Sequence, residues 1–469
     1  MMKLLNSIRM GGRELLPLVE GGKGVSATNH ASSGAWAAAG GLGTVSGVNA
    51  DSYDAAGNII PQIYHGRTRG DRHEELVAYG IAGGVEQVRR AHEISGGQGG
   101  ININVLWEMG GAQRILEGIL EEAGELVDGV TCGAGMPYKL SEIAARYSTY
   151  YYPIISSARA FRALWKRAYG KAPEWLGAVV YEDPWLAGGH NGLSNAEDPL
   201  HPQDPYPRVK DLRDTMREVG ISDDVPIVMA GGVWYLREWD HWIDNPELGA
   251  IAFQFGSRPL LTQESPIPEV WKRKLTTLVE GDILLQAFSP TGFYSSAVRT
   301  PFLESLIHRS ERQIGISTEP HDHRTHLLDV GVPGNKHYYV TRDDLLHARG
   351  WHAQGYTEAL KTPDDTLVFE TPGMAKTVRK DQADCMGCLS QCRFSAWAEH
   401  LDKNSTGRLA DPRSFCIQKT LQDIAHGSPP EDNLMFAGHS AHHFSTDPFY
   451  SNGFVPTVKQ LVDRIMTGD

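Results

Sequence analysis

Between residue 25 and about residue 260 eight short runs of β-branched and apolar residues alternate with stretches of helical spacing. The runs are VSAT (25–28), TVSGV (44–48), ININVL (101–106), DGVTCG (128–133), YYPIIS (151–156), GAVVYED (177–183), VPIVMAGG (225–232) and AIAFQFGS (250–257). Helices are predicted over 33–40, 84–95, 112–125, 139–147, 157–169, 207–218 and 233–243, with Ser156 or Ser157 capping the fifth and Gly170 following its end. Strands that alternate with helices build a parallel sheet. Eight of them in about 230 residues fit a closed (β/α)8 TIM barrel better than an open doubly wound sheet, which stays the alternative. A barrel places its active site at the carboxyl ends of its strands.

Past residue 270 the alternation fades into loop-rich polar sequence, so the expected organisation is a barrel over 1–270 and an appended, partly irregular segment over 271–469. Hydrophobic residues at 41% and charged residues at 22% describe an ordinary globular chain. The net charge of -13 repels phosphate backbones and argues against nucleic acid as a partner. MMKLLNSIRM lacks the apolar core of a signal peptide, and AWAAAGGLGTVSGV is too short and too broken by glycine to span a bilayer. The chain therefore reads as cytoplasmic, with a small-molecule substrate, no membrane partner, and self-association into a homo-oligomer left open.

Two strand ends carry glycine where a barrel binds phosphate. VMAGGVW supplies Gly231 and Gly232 after the seventh run, and FQFGSRP supplies Gly256 and Ser257 after the eighth. Backbone N–H groups exposed there, next to a helix start, suit a phosphate-bearing cofactor. A third strand end, AGGHNGLS, sets His190 between a glycine pair and an Asn-Gly step, leaving room for a flat ring system beside the imidazole. An imidazole near its intrinsic pKa of about 6.5 can take or return a proton at neutral pH, so His190 is the candidate acid/base.

The segments ASSGAWAAAGGLGTVSG, ININV, TCGAGMP, LAGGHNG, PIVMAGGV and AFQFGSRPLLTQES follow the order of the motifs of the nitronate monooxygenase (2-nitropropane dioxygenase) family, which includes the FMN-dependent enoyl-ACP reductases. The chain resembles that family over about residues 25 to 300. The resemblance implies an FMN-binding TIM barrel with the flavin phosphate on Gly231, Gly232, Gly256 and Ser257. It implies Asn104 and Gln254 along the flavin, Gly133 to Gly135 as the glycine-rich loop after strand four, Gly189 beside the cofactor, and His190 as the active-site histidine. Two departures stand out: VEGGKGVSATNH replaces the family's usual Pro-Met opening, and Ser257 replaces the commoner threonine.

Four of the five cysteines, Cys385, Cys388, Cys392 and Cys416, lie close together in the chain, the first three as C-x2-C-x3-C. That spacing predicts one metal centre, a [4Fe-4S] cluster or a tetrahedral zinc, with unliganded thiols as the third outcome. A similar run holds a [4Fe-4S] cluster in flavin-barrel reductases of the 2,4-dienoyl-CoA reductase type, which tilts the reading to iron–sulfur. Cys132 reads as a buried thiol, and His321, His323, His326, His439, His442 and His443 as surface residues. The function expected is an FMN-dependent oxidoreductase that oxidises a small carbon acid such as an alkyl nitronate with oxygen. The alternatives are an NAD(P)H-dependent flavin reductase acting on an enoyl C=C bond, and a flavin-free phosphate-binding barrel or non-catalytic subunit.

Overall fold

A computed structural model describes residues 2–194, 196–331, 337–401 and 407–469. Eight parallel strands close into a barrel: β1 Leu18–Glu20, β2 Leu42–Ser46, β3 Gly100–Leu106, β4 Gly129–Gly133, β5 Tyr150–Ile155, β6 Val179–Glu182, β7 Ile227–Ala230 and β8 Ile251–Phe255. The register runs continuously around the ring, and β8 returns to β1 through Phe253 opposite Leu18 and Gln254 opposite Val19. Six helices cover the outside: α1 His30–Ala38, α2 Arg69–Ser95, α3 Ala112–Ala123, α4 Leu140–Arg146, α5 Ala158–Arg167 and α6 Pro205–Glu218. Their boundaries carry local signals. Thr68 and Asp71 form a capping box at the start of α2, Gly96 ends it in the left-handed region, and the Ser157 side chain accepts the Ala160 N–H to cap α5.

The expected first strand is corrected. Residues 25–28 form a turn, and the strand lies earlier at Leu18–Glu20. VSAT has strand composition, but Val25 and Ser26 take φ of 52° and 58°, a left-handed conformation that no strand contains. The real strand is short and follows the ribbon Ile8–Met10 and Arg13–Leu15. Met10 and Leu15 pack with Val19, Tyr152, Val180 and Val228, so the ribbon closes the barrel's amino-terminal end.

The segment after β8 does not stand apart from the barrel. A helix at Val458–Met466 packs on α1 and buries Val458, Leu461, Val462 and Ile465 in the barrel's outer core. It occupies the closing position a helix after β8 would take, so residues between Arg258 and Thr457 form a long excursion within the last unit. A second core joins Trp234, Leu260 and Leu261 to Trp271, Ile424, Met435 and Tyr450, so packing crosses the expected boundary near 270. Residues 313–370 carry a small sheet and the helix Arg342–Ala353 around their own core. Among the described residues no helix is long and apolar enough to cross a membrane.

Candidate active site

A cavity opens at the carboxyl ends of the barrel strands. Asn104, Gly133, Gly189, His190, Gly231, Gly232, Gln254, Gly256 and Ser257 all line it. Gly135 does not; it takes φ of 116° one turn away, where an added Cβ would meet the Glu108 carboxylate at 2.7 Å. Gly231 and Gly232 hold φ of 91° and 78°. A Cβ on Gly232 would strike Leu186 at 2.7 Å, whereas one on Gly256 would meet nothing within 4 Å. Close packing and positive φ thus require glycine at Gly231 and Gly232, while Gly256 presents bare backbone to open space, the form a phosphate cradle takes. Gly22, in the loop after β1, lies so near β3 that an added Cβ would come within 2.4 Å of the Asn104 Cβ.

His190 is held from two sides. Gly189–His190 forms a short strand antiparallel to Ser295–Val298, with His190 opposite Ser295. Its Nε2 lies 2.5 Å from the Ser289 hydroxyl oxygen, which lies 2.8 Å from the hydroxyl of Thr291, a cavity residue. The ring packs against Phe436 with centroids 5.3 Å apart. Burial lowers the His190 pKa to about 4.

Three charged groups that sequence reading passed over share this end of the barrel. Glu182 ends β6 and lines the cavity; burial, with the Asp183 charge next to it, raises its pKa to about 8. Lys23 lines the cavity from the first loop, and burial, opposed by the Glu20 charge, lowers its pKa to about 8. Glu20 ends β1, is fully buried, and is pushed upward by desolvation. Lys23 and Glu182 are enclosed by protein yet keep accessible area, because what they face is the cavity and not bulk water. The signal for Lys23 was in the sequence: GGKG bares a titratable side chain on glycine as AGGHNG does.

The C-terminal segment roofs the cavity. Met435 to Gly438 line it, as do Ile417, Leu421 and Ile424 of the helix Ile417–Ala425. The bend at Gly188 is crossed so tightly that an added Cβ would lie 2.5 Å from Ala437 C and Gly438 N. His439, expected at the surface, is half-buried under this roof with Nε2 3.3 Å from the Ser296 hydroxyl.

The expected metal centre is corrected. The cysteine turn does gather its thiols, since Cys388 feels Cys385, Cys392 and Cys416 electrostatically. Among the described residues, however, no group of three or more His, Cys, Asp or Glu is arranged to hold a metal ion, so iron–sulfur and zinc are unsupported. Burial pushes the Cys392 thiol up to about 11 and the Cys416 thiol up to about 12. What the turn does is join the excursion to the barrel: Gly110 N–H donates to the Cys388 carbonyl, Ser390 N–H to that of Glu108, and the Arg72 Nε–H to that of Cys385. Cys388 lines the cavity; Cys132 is fully buried in β4.

With this geometry in place, the family model for nitronate monooxygenase matches residues 101–359. The chain belongs to the nitronate monooxygenase family. It is an FMN-dependent oxidoreductase on a TIM barrel. No curated protein matches it in sequence. Among solved structures, the enoyl reductase domain of MlnA from Bacillus amyloliquefaciens superposes with a TM-score of 0.53 at 13% identity, covering 96% of this chain and 93% of that one. FabK from Thermotoga maritima gives a TM-score of 0.49 at 16% identity over 96% and 92%. Nitroalkane oxidase from Streptomyces ansochromogenes gives 0.43 at 18% over 61% and 78%. At this identity the likeness to the MlnA domain shows the fold alone.

Proposed function

We propose that this cavity binds FMN and oxidises a small carbon acid, of which an alkyl nitronate is the type, with oxygen as the electron acceptor. The observation that carries the reading is the convergence of two glycine-bearing turns, Gly231–Gly232 and Gly256–Ser257, with His190 on one cavity. The turns would hold the flavin phosphate through backbone N–H groups, and the amides of Asn104 and Gln254 would border the ring. Bound flavin supplies a two-electron acceptor that the amino acids lack.

His190 is neutral above about pH 4 and therefore accepts a proton or a hydrogen bond without first losing one. Ser289 and Thr291 continue from its Nε2 back to the cavity wall, a path along which a proton can leave. The roof from Met435 to Gly438 keeps water from the reacting face.

One observation favours the second reading, reduction of an enoyl C=C bond at the expense of NAD(P)H. That reaction needs a proton donor at neutral pH. Glu182, protonated below about pH 8 and facing the cavity, meets the requirement better than an imidazole already neutral. Anaerobic mixing of FMN-loaded protein with NADH, NADPH or an alkyl nitronate separates the two. Bleaching of the flavin by the nitronate alone supports oxidation. Rapid bleaching by a pyridine nucleotide replaces that reading with the reductase, and protein unable to take up FMN removes both.

A further inference from the structure

We infer that Lys23 is the specificity-determining residue of this cavity, its ammonium taking an anionic oxygen of the substrate while the helix Ile417–Ala425 supplies an apolar wall. The inference rests on the FMN reading above for the place of the substrate.

The first loop is shaped to deliver this one side chain. Gly21 and Gly22 run so close to the inner wall that Cβ atoms there would meet Gln254 Nε2 at 3.2 Å and Asn104 Cβ at 2.4 Å, next to the positions assigned to flavin. Lys23 N–H donates to the Thr28 hydroxyl at 2.8 Å and Val25 N–H to the Val48 carbonyl at 2.9 Å, so the loop is fixed at both shoulders. Between them Val25 and Ser26 sit in the left-handed region, at 52° and 58°. For a β-branched residue that conformation is costly, and surrounding contacts must impose it.

Lys23 Nζ donates to the Gly21 carbonyl at 2.7 Å. An ammonium has three N–H donors, so hydrogen-bonding capacity remains for a ligand. The charge that acts on it is that of Glu20, whose carboxylate accepts from Thr44 N–H behind the barrel wall; Glu108, Glu182 and His190 line the same cavity. At neutral pH the carboxyl of Glu182 is protonated and the imidazole is neutral, so neither competes for Lys23, which lines the cavity as a cation with Glu20 as the charge acting on it. Its lowered pKa has the same cause: enclosure destabilises the ammonium, and an incoming oxyanion would relieve that.

An apolar wall sets the rest of the ligand. Ile417, Leu421 and Ile424, spaced i, i+4 and i+7, put one apolar face of their helix on the cavity, and Met435 adjoins them. A cation and an apolar wall on one cavity select a small oxyanion with a hydrocarbon tail and discriminate against neutral or cationic molecules.

Nitrate, a planar oxyanion that cannot be oxidised further, is the probe. It is titrated calorimetrically into FMN-loaded wild-type protein, Lys23→Met and Lys23→Arg. Expected are a Kd at least about tenfold weaker in the methionine variant, recovery to within about threefold in the arginine variant, and wild-type affinity that falls as pH rises through about 8. Equal affinity in wild type and Lys23→Met, no nitrate binding by wild type, or a pH-independent wild-type affinity overturns the inference. So does a Lys23→Met protein that folds but loses FMN, because the lysine would then serve the flavin. Should the methionine variant not fold, the pH series is repeated on Glu182→Gln, which removes the other cavity group that titrates at about 8, and a pH-independent affinity there overturns the inference. Should wild type take up no FMN, the flavin reading fails, and the same titrations on flavin-free protein still decide Lys23.

Discussion

The Gly438 backbone N–H donates to the Ser257 hydroxyl at 2.9 Å across 181 positions of sequence. Ser257 stands at the turn after β8, where the family resemblance puts the flavin phosphate, and Gly438 belongs to the roof. One more contact repeats the link, His439 N–H donating to the Leu186 carbonyl at 3.0 Å, while Phe436 bridges to Ala297 within the excursion itself. The long excursion between β8 and the closing helix thus returns to complete the cavity that the barrel leaves open.

The roof's fit over Gly188 gives the first prediction. In Gly188→Ala the new methyl would lie 2.5 Å from two backbone atoms of the roof, which cannot swing aside as a flexible side chain can. Overpacking of this kind costs about 1–3 kcal/mol. The variant should melt several degrees lower and expose its flavin, read as faster FMN loss on dialysis. Unchanged melting and unchanged FMN retention would show that the roof does not press on this bend.

A second prediction concerns the anchor beneath the turn after β8. Arg258 and Asp447 are both fully buried at 3.7 Å; Arg258 also donates to the Trp234 carbonyl at 2.9 Å, and Asp447 accepts Trp234 Nε1–H at 3.0 Å. Asp447→Ala leaves a buried guanidinium without its counter-charge, a loss of about 3–5 kcal/mol. Denaturant unfolding should show it. The double variant Arg258→Met with Asp447→Ala should recover part of the loss, since an apolar pair of similar volume removes the stranded charge. A single variant as stable as wild type would mean the pair is not holding the turn.

Much of the barrel was legible because its signals are local. Seven of the eight expected runs overlap strands, since β-branched residues and flanking glycines mark each one independently. The first failed because VSAT has the composition of a strand and the backbone of a turn, and composition carries no φ. The cysteine segment failed differently: C-x2-C-x3-C brings thiols near one another, but whether their sulfurs converge on one metal depends on how the turn sits against residues 108–110, more than 270 positions away. Ser289, Phe436 and Gly438 reach His190 and Ser257 only through the tertiary path of the excursion, and no periodicity announces that path.

Glu182 supplies a pH-dependent prediction. Its folded pKa, about 8, lies above the ordinary carboxylate value of 4.5, so the fold favours the neutral carboxyl. The stability this contributes is complete below about pH 4.5 and disappears as pH rises through about 8. Discounted for partial access to the cavity, the loss is on the order of 3 kcal/mol. Glu182→Gln keeps the shape without the charge. It should melt about 3 °C above wild type at alkaline pH and together with it near pH 5. A gap that does not change with pH would mean that Glu182 is not held neutral.

His190 and Ser289 give the last prediction. An imidazole with a folded pKa near 4 contributes stability that is complete above its unfolded value of 6.5 and is lost as pH falls through about 4, about 3 kcal/mol in all. The same shift sets the activity profile. If neutral His190 accepts a proton, the acid limb of turnover should fall near pH 4 and not near pH 6.5, and His190→Asn should remove that limb while lowering turnover by about 100-fold or more. Ser289→Ala takes away the hydroxyl 2.5 Å from Nε2 and interrupts the path to Thr291. Turnover should fall by about tenfold with FMN content unchanged, since the lost contact is one hydrogen bond of about 1 kcal/mol or slightly more. Initial rates from about pH 4 to pH 8, with flavin content measured spectrophotometrically on each variant, test both residues. Near-normal turnover by His190→Asn at full flavin occupancy would leave the imidazole a packing partner of Phe436 and no more.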